Sequence, residues 1–232
     1  MKVVICAGPP TSGKTTVLRQ TIKRLKDKGR RIAYFKIDVQ FAEEDEYFRN
    51  EMGIPARKVY SGDLCPDHCN VIVLGDALKW AAKENAEMLF VETAGLCLRC
   101  SPYIENSLGI VVLEATSGMN LPRKIGPMLS LADIAVVTKI DLVSQAEREV
   151  FRANINEAAK VVIIETDALH GINIDHIVRK VEGDWETREP LMLRGMPPVG
   201  TCTICVGRKE IGMEAHFGVL RTLESDIFYR GE

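Results

Sequence analysis

The sequence predicts an α/β fold: a mostly parallel sheet covered by helices on both faces. Short apolar runs rich in β-branched residues recur along the chain, and such runs read as strands buried on both sides. Between them lie stretches with apolar residues at helical spacing. The two kinds of segment alternate, which is the pattern of a parallel sheet with crossover helices. The expected strands are KVVICAG (2–8), the start of AYFKIDVQFAEEDEYF (33–48), MLFVETAGLC (88–97), LGIVVLEAT (108–116), AVVTKIDLV (135–143) and KVVIIETD (160–167). The expected helices include VLRQTIKRLKDKG (17–29), with Val17, Leu18, Ile22 and Leu25 on one face. Two more are CNVIVLGDALKWAAKEN (69–85) and AEREVFRANINEAA (146–159). The stretch REPLMLRGMPPVG (188–200) holds three prolines and two glycines, which reads as a linker. The expected layout is a main domain over 1–185, a linker over 186–200 and a C-terminal extension over 201–232.

The chain has 232 residues, 46% hydrophobic and 27% charged, so it can bury a real core. With 30 basic and 32 acidic residues the net charge is −2. That balance gives no case for nucleic acid or an anionic membrane as partner. The start, MKVVICAGPP, lacks a basic region followed by a long apolar stretch, and no run of about 18 apolar residues occurs. A cytoplasmic location is expected, where thiols stay reduced. Of the seven cysteines, Cys6 lies in the first strand and reads as a small buried hydrophobe. The other six fall in close pairs: Cys65/Cys69, Cys97/Cys100 and Cys202/Cys205. Such spacing belongs to a metal site or a redox pair.

Gly8–Thr15 fits G-x-x-x-x-G-K-[ST], between a strand and a helix as that motif requires. It marks the fold as a P-loop NTPase. Backbone N–H groups of the loop and the first helical turn face a phosphate chain, aided by the helix dipole. Gly8, Pro9, Pro10, Thr11, Ser12, Gly13, Lys14, Thr15 and Thr16 form the expected phosphate cradle. Lys14 reaches the β and γ phosphates, and Thr15 offers its hydroxyl to Mg²⁺.

Thr138, Lys139 and Asp141, at the end of an apolar strand, form T-K-x-D. An aspartate there accepts from both donors on the guanine edge, which adenine lacks, so a buried carboxylate would penalise adenine. The usual form is N-K-x-D, from which Thr138 departs. Glu92-Thr93-Ala94-Gly95 ends another strand and is similar to the D-x-x-G element that senses γ-phosphate. Gly95 would offer its N–H, and Glu92 would hold Mg²⁺ through water. The acidic stretch after the second strand adds Asp38 as a Mg²⁺ candidate and Asp45 as a group to orient attacking water.

Taken in order, these blocks resemble the nickel-insertion GTPases of hydrogenase and urease maturation (HypB/UreG type), within the SIMIBI class of P-loop GTPases. The resemblance rests on GPPTSGKTT, DVQFAEEDEYF, IPARKVYSGDLCPDH, FVETAG, SGMNLPRKIGPMLSLADIAVVTKIDL and ETDALHGINIDHIV, over roughly 3–182. It implies a switch: GTP with Mg²⁺ orders the loops and favours a homodimer, and hydrolysis releases a metal to a client enzyme. The last block adds Thr166 and Asp167 to the nucleotide-binding set. Carried over, the family's metal pair is Cys65 and His68. Here the motif is Cys-Pro-Asp-His-Cys, which moves the histidine by one and adds Cys69. Two thiolates and an imidazole suit Ni, Zn or Co alike. Cys100 matches a cysteine after the second switch, and Cys97 makes it C-x-x-C. In a dimer, two such loops would supply four thiolates, for Zn²⁺ or an iron–sulfur cluster. Cys202 and Cys205 form a second candidate site. Arg123 is a candidate to reach across a dimer. A GTPase metallochaperone is the expected function. Alternatives are a dimeric iron–sulfur cluster carrier or electron donor, and a GTPase chaperone of a cobalamin or methyl-transfer system.

Overall fold

The computed structural model describes residues 1–39, 42–61, 66–94, 100–195 and 209–212. Its centre is a seven-stranded sheet in which every paired strand is parallel. In chain order the elements are β1 (Lys2–Ala7), α1 (Lys14–Asp27), β2 (Ile32–Asp38), α2 (Glu44–Asn50), β3 (Ala56–Tyr60), α3 (Pro66–Lys83), β4 (Met88–Glu92) and β5 (Leu108–Glu114). They continue with the short α4 (Leu121–Lys124) and α5 (Gly126–Ser130), then β6 (Ile134–Thr138), α6 (Gln145–Ala158), β7 (Val162–Glu165) and α7 (Ile174–Glu182). The sheet order is β3-β2-β4-β1-β5-β6-β7.

Successive side chains of a strand point to opposite faces, and β1 uses both. Val3, Ile5 and Ala7 pack with Ile72, Leu74 and Ala77 of α3 and with Phe151 and Ile155 of α6. Val4 and Cys6 pack with Val17, Leu18 and Ile22 of α1 and with Ile174, Ile177 and Val178 of α7. Every residue of β1 from Val3 onward is buried. That is why the strand reads as a continuous apolar run. Cys6 is the small buried hydrophobe expected, and burial pushes its thiol pKa up.

Two findings differ from the sequence reading. ARKVY (56–60), within the block IPARKVYSGDLCPDH and absent from the expected strands, is the edge strand β3, paired with β2 from Tyr34↔Ala56 to Asp38↔Tyr60. Further, the described part of the expected linker packs on the domain. Leu193 is buried and bridges to Ile104. Arg194 Nε donates to Ile104 O at 3.0 Å and Nη1 to Leu131 O at 2.9 Å, and Nη2 pairs with Asp133 at 2.8 Å. Nη2 also donates to Ser107 O. A planar guanidinium with several fixed donors can bind several carbonyls at once. Composition marks this stretch as irregular but does not show where it lies.

Arg194→Ala strips donors from those carbonyls. It is expected to lower stability by about 2 kcal/mol and Tm by about 4–8 °C for a chain of this size, measured by calorimetry.

Candidate functional site

The loops that carry the motifs all follow carboxyl ends of strands, on one edge of the sheet, where ligands bind in open parallel sheets. The glycine loop leaves the central β1. Gly8 has φ +152°, and a Cβ there would lie 2.2 Å from Val112 O of β5. Only glycine allows the loop to run so close to a neighbouring strand. Gly13, at φ +91°, precedes α1, and no side chain caps that helix. The N–H groups of its first turn are therefore left for a ligand. Ser12 Oγ is buried with no hydrogen-bond partner among the described residues. Lys14 is buried, and its Nζ donates to Gly8 O at 2.9 Å and Pro9 O at 3.0 Å. Burial lowers its pKa, and the nearby Glu92 opposes that shift.

Glu92 ends β4 and is 1% exposed. Its Oε1 accepts from Thr15 Oγ1 at 2.8 Å and from Lys36 Nζ at 2.7 Å. Its Oε2 accepts from Tyr34 OH at 2.8 Å. Asp38, at the end of β2, lies 3.4 Å from Lys36 Nζ and accepts from its neighbour Val39 N at 2.7 Å. Thr15, Glu92 and Asp38, the residues expected at Mg²⁺, thus share one neighbourhood. Lys36 and Tyr34 complete it and were not anticipated. The signal available was a lysine inside the otherwise apolar run of β2. Burial alone would lower the Lys36 pKa, but the Glu92 carboxylate beside it leaves it raised overall.

Asp45 is placed differently from its expected role. It is fully buried, paired with Arg49 at 2.7 Å and with Lys58 of β3 at 3.1 Å. The Lys58 pair ties α2 to the edge strand, and the Arg49 pair lies within α2. Arg123 pairs with Glu157 at 2.7 Å on the surface.

The T-K-x-D segment begins at the end of β6. Thr138 is buried, and its hydroxyl donates to Ser12 O of the phosphate loop at 2.6 Å. Gly13 packs over the same side chain, where a Cβ would sit 3.5 Å from it. A threonine therefore braces the loop from the position where asparagine is usual. Lys139 is left-handed, at φ 57°, and its Nζ pairs with Glu114 at the end of β5. Asp141 is exposed in a 3-10 turn, Ile140–Leu142. After β7, Thr166 Oγ1 donates to Ile172 O at 2.5 Å. Asp167 meets the His170 ring at 2.5 Å, a hydrogen bond that holds its carboxyl below the usual range. Both residues shape the turn into α7.

His68 and Cys69 lie in the first turn of α3 and are buried; Cys100 is partly buried. Cys65, Cys97, Gly95, Cys202 and Cys205 lie outside the described residues. Among the described residues, no three His, Cys, Asp or Glu side chains are grouped to hold a metal.

A glycine loop between the central strand and the first helix, on the carboxyl edge of a parallel sheet, is the architecture of the P-loop nucleotide-binding proteins. The chain belongs to the CobW/HypB/UreG family, whose nucleotide-binding domain matches residues 2–164. It is 42% identical, over the full length of both, to an uncharacterized protein of Methanocaldococcus jannaschii. It is 32% identical over 134 residues to the hydrogenase maturation factor HypB of Rhizobium leguminosarum bv. viciae, covering 57% of this chain and 44% of that protein. Its fold is shared with HypB from Helicobacter pylori, solved in complex with nickel. The TM-score is 0.60 at 20% identity, over 82% of this chain and 91% of that one.

If Thr138 braces the phosphate loop, Thr138→Val, which keeps shape and removes the hydroxyl, should weaken nucleotide binding by about 1 kcal/mol, roughly five-fold in Kd. Titration with a fluorescent guanine nucleotide would read it.

Proposed function

We propose that the protein is a GTP-hydrolysing metallochaperone that passes a transition metal to a client metalloenzyme, working as a dimer. The observation that carries the nucleotide reading is the Thr138–Ser12 hydrogen bond, which joins the base-reading turn to the phosphate loop. Asp141 would accept from guanine, and the stem of Lys139 would lie along the base.

The residues fit a phosphate chain with Mg²⁺. The unpartnered Ser12 hydroxyl, the uncapped start of α1 and the glycine backbone at Gly8 and Gly13 suit an anion. Thr15, Asp38 and Glu92 offer the oxygen ligands a hard cation takes. Bound there, Mg²⁺ would neutralise charge on the β and γ phosphates. Lys14 would exchange its two loop carbonyls for phosphate oxygens. Among the described residues the candidate arginine, Arg123, pairs with Glu157 on the surface, and hydrolysis by the chain alone is expected to be slow.

The cargo reading rests on family membership and on His68 and Cys69 at the start of α3. With Cys65, Cys97 and Cys100 they would make a mixed thiolate and imidazole donor set, which suits nickel, zinc or cobalt. Cys202 and Cys205 would add a second pair. The nickel held by the H. pylori relative favours nickel among these.

Asp141→Asn is expected to move preference away from GTP by at least about ten-fold, read by competition between GTP and ATP. Unchanged preference would remove Asp141 from base reading. Metal content after oxygen-free purification, with a GTP analogue and with GDP, tests the cargo. One Ni, Zn or Co per dimer, held differently in the two states and lost in Cys65→Ala, is expected. About four irons with sulfide per dimer would point to a cluster carrier, and a metal unmoved by nucleotide would point to structural zinc.

A further inference from the structure

We propose that Lys36 is a resident counter-ion of the nucleotide site, which keeps divalent metal out of the acidic cluster until a phosphate chain brings it in. Lys36 projects from β2, between the core residues Phe35 and Ile37, and is 4% exposed. Its ammonium lies 2.7 Å from Glu92, 3.4 Å from Asp38 and 3.5 Å from Glu44. The Glu92 oxygen it touches is the one that accepts from Thr15. The lysine and the cation-binding threonine thus converge on a single atom.

Two of these three acids are the ones a divalent ion would use with Thr15, and hard cations seek just such oxygens. With the ammonium in place the cluster carries three negative charges and one positive, a net −2, rather than −3. A metal arriving alone must share oxygens with a cation a few ångströms away, or displace it from a carboxylate that burial makes costly to leave unpaired. A nucleotide changes the balance. Its phosphates bring negative charge and further oxygen ligands, so metal and nucleotide enter together. The lysine then yields part of its hold on the carboxylates. The lysine is held rigidly for this role: Glu92 is fixed by Tyr34 and Thr15 as well.

The inference rests on reading the glycine loop as a metal–nucleotide site, and the test separates the two. Mn²⁺ is titrated into the nucleotide-free protein, with free Mn²⁺ followed by electron paramagnetic resonance. The parent is compared with Lys36→Met and with Lys36→Gln, which keeps a donor toward Glu92; circular dichroism checks their folding. Each folded variant is expected to bind one Mn²⁺ at least about ten-fold more tightly than the parent. Folded variants that bind it no better would overturn the proposal. So would a parent that binds the guanine nucleotide yet binds Mn²⁺ equally well with and without GDP, a result independent of either variant. Nucleotide binding by the parent is measured separately with a fluorescent guanine nucleotide. Its failure would sink the proposed function and leave the Mn²⁺ comparison readable.

Discussion

The site is organised by one carboxylate. Glu92 is buried at the end of β4, where an ionised group is tolerated only if it is fully hydrogen-bonded. Its partners come from different elements: Thr15 from α1, and Tyr34 and Lys36 from β2. Satisfying it fixes the start of α1 against the end of β4 and both against β2. Burial, followed by the Glu92 charge, raises the Tyr34 pKa and keeps the phenol a donor. The Tyr34 ring stacks on Phe48 of α2, with centroids 3.9 Å apart. One buried acid thus reaches, through a hydroxyl and an aromatic pair, the helix that carries the acidic stretch after β2.

Much of the fold was legible in the sequence. β1, β2, β4, β5 and β6 are buried on both faces, so each appears as an apolar run with no alternation to decode. α1 and α6 kept their helical spacing because one side of each faces water. β3 was missed for a physical reason: ARKVY is a short edge strand with two basic residues, and its identity comes from pairing with β2. The short α4 and α5 are too brief for a period to be seen. The path of residues 188–195 is set by Arg194 reaching carbonyls far away in sequence, which no local pattern encodes.

The site was legible as motifs, and less so as partnerships. The glycine loop announces itself because phosphate binding demands fixed residue types at fixed spacing. The role of Thr138 is not visible in the sequence: it reads there only as a departure from asparagine, and proximity to Ser12 O shows what its hydroxyl does. Asp45 stands out by its acidic surroundings, yet it is buried, paired with Arg49 within α2 and with Lys58 across to β3. Lys36 went unnoticed because motif reading looks at strand ends, and it lies within the strand.

The lysine of the phosphate loop has a consequence for the energetics of capture. A free lysine loses up to about 2 kcal/mol of rotamer entropy when it is immobilised. Lys14 has lost most of that freedom already, since two carbonyls of its own loop hold its ammonium. The ordering is charged to folding, and phosphate need only replace one pair of oxygens with another. Such preorganisation would contribute to the affinity of a phosphate chain bound here, as with any rigidified receptor.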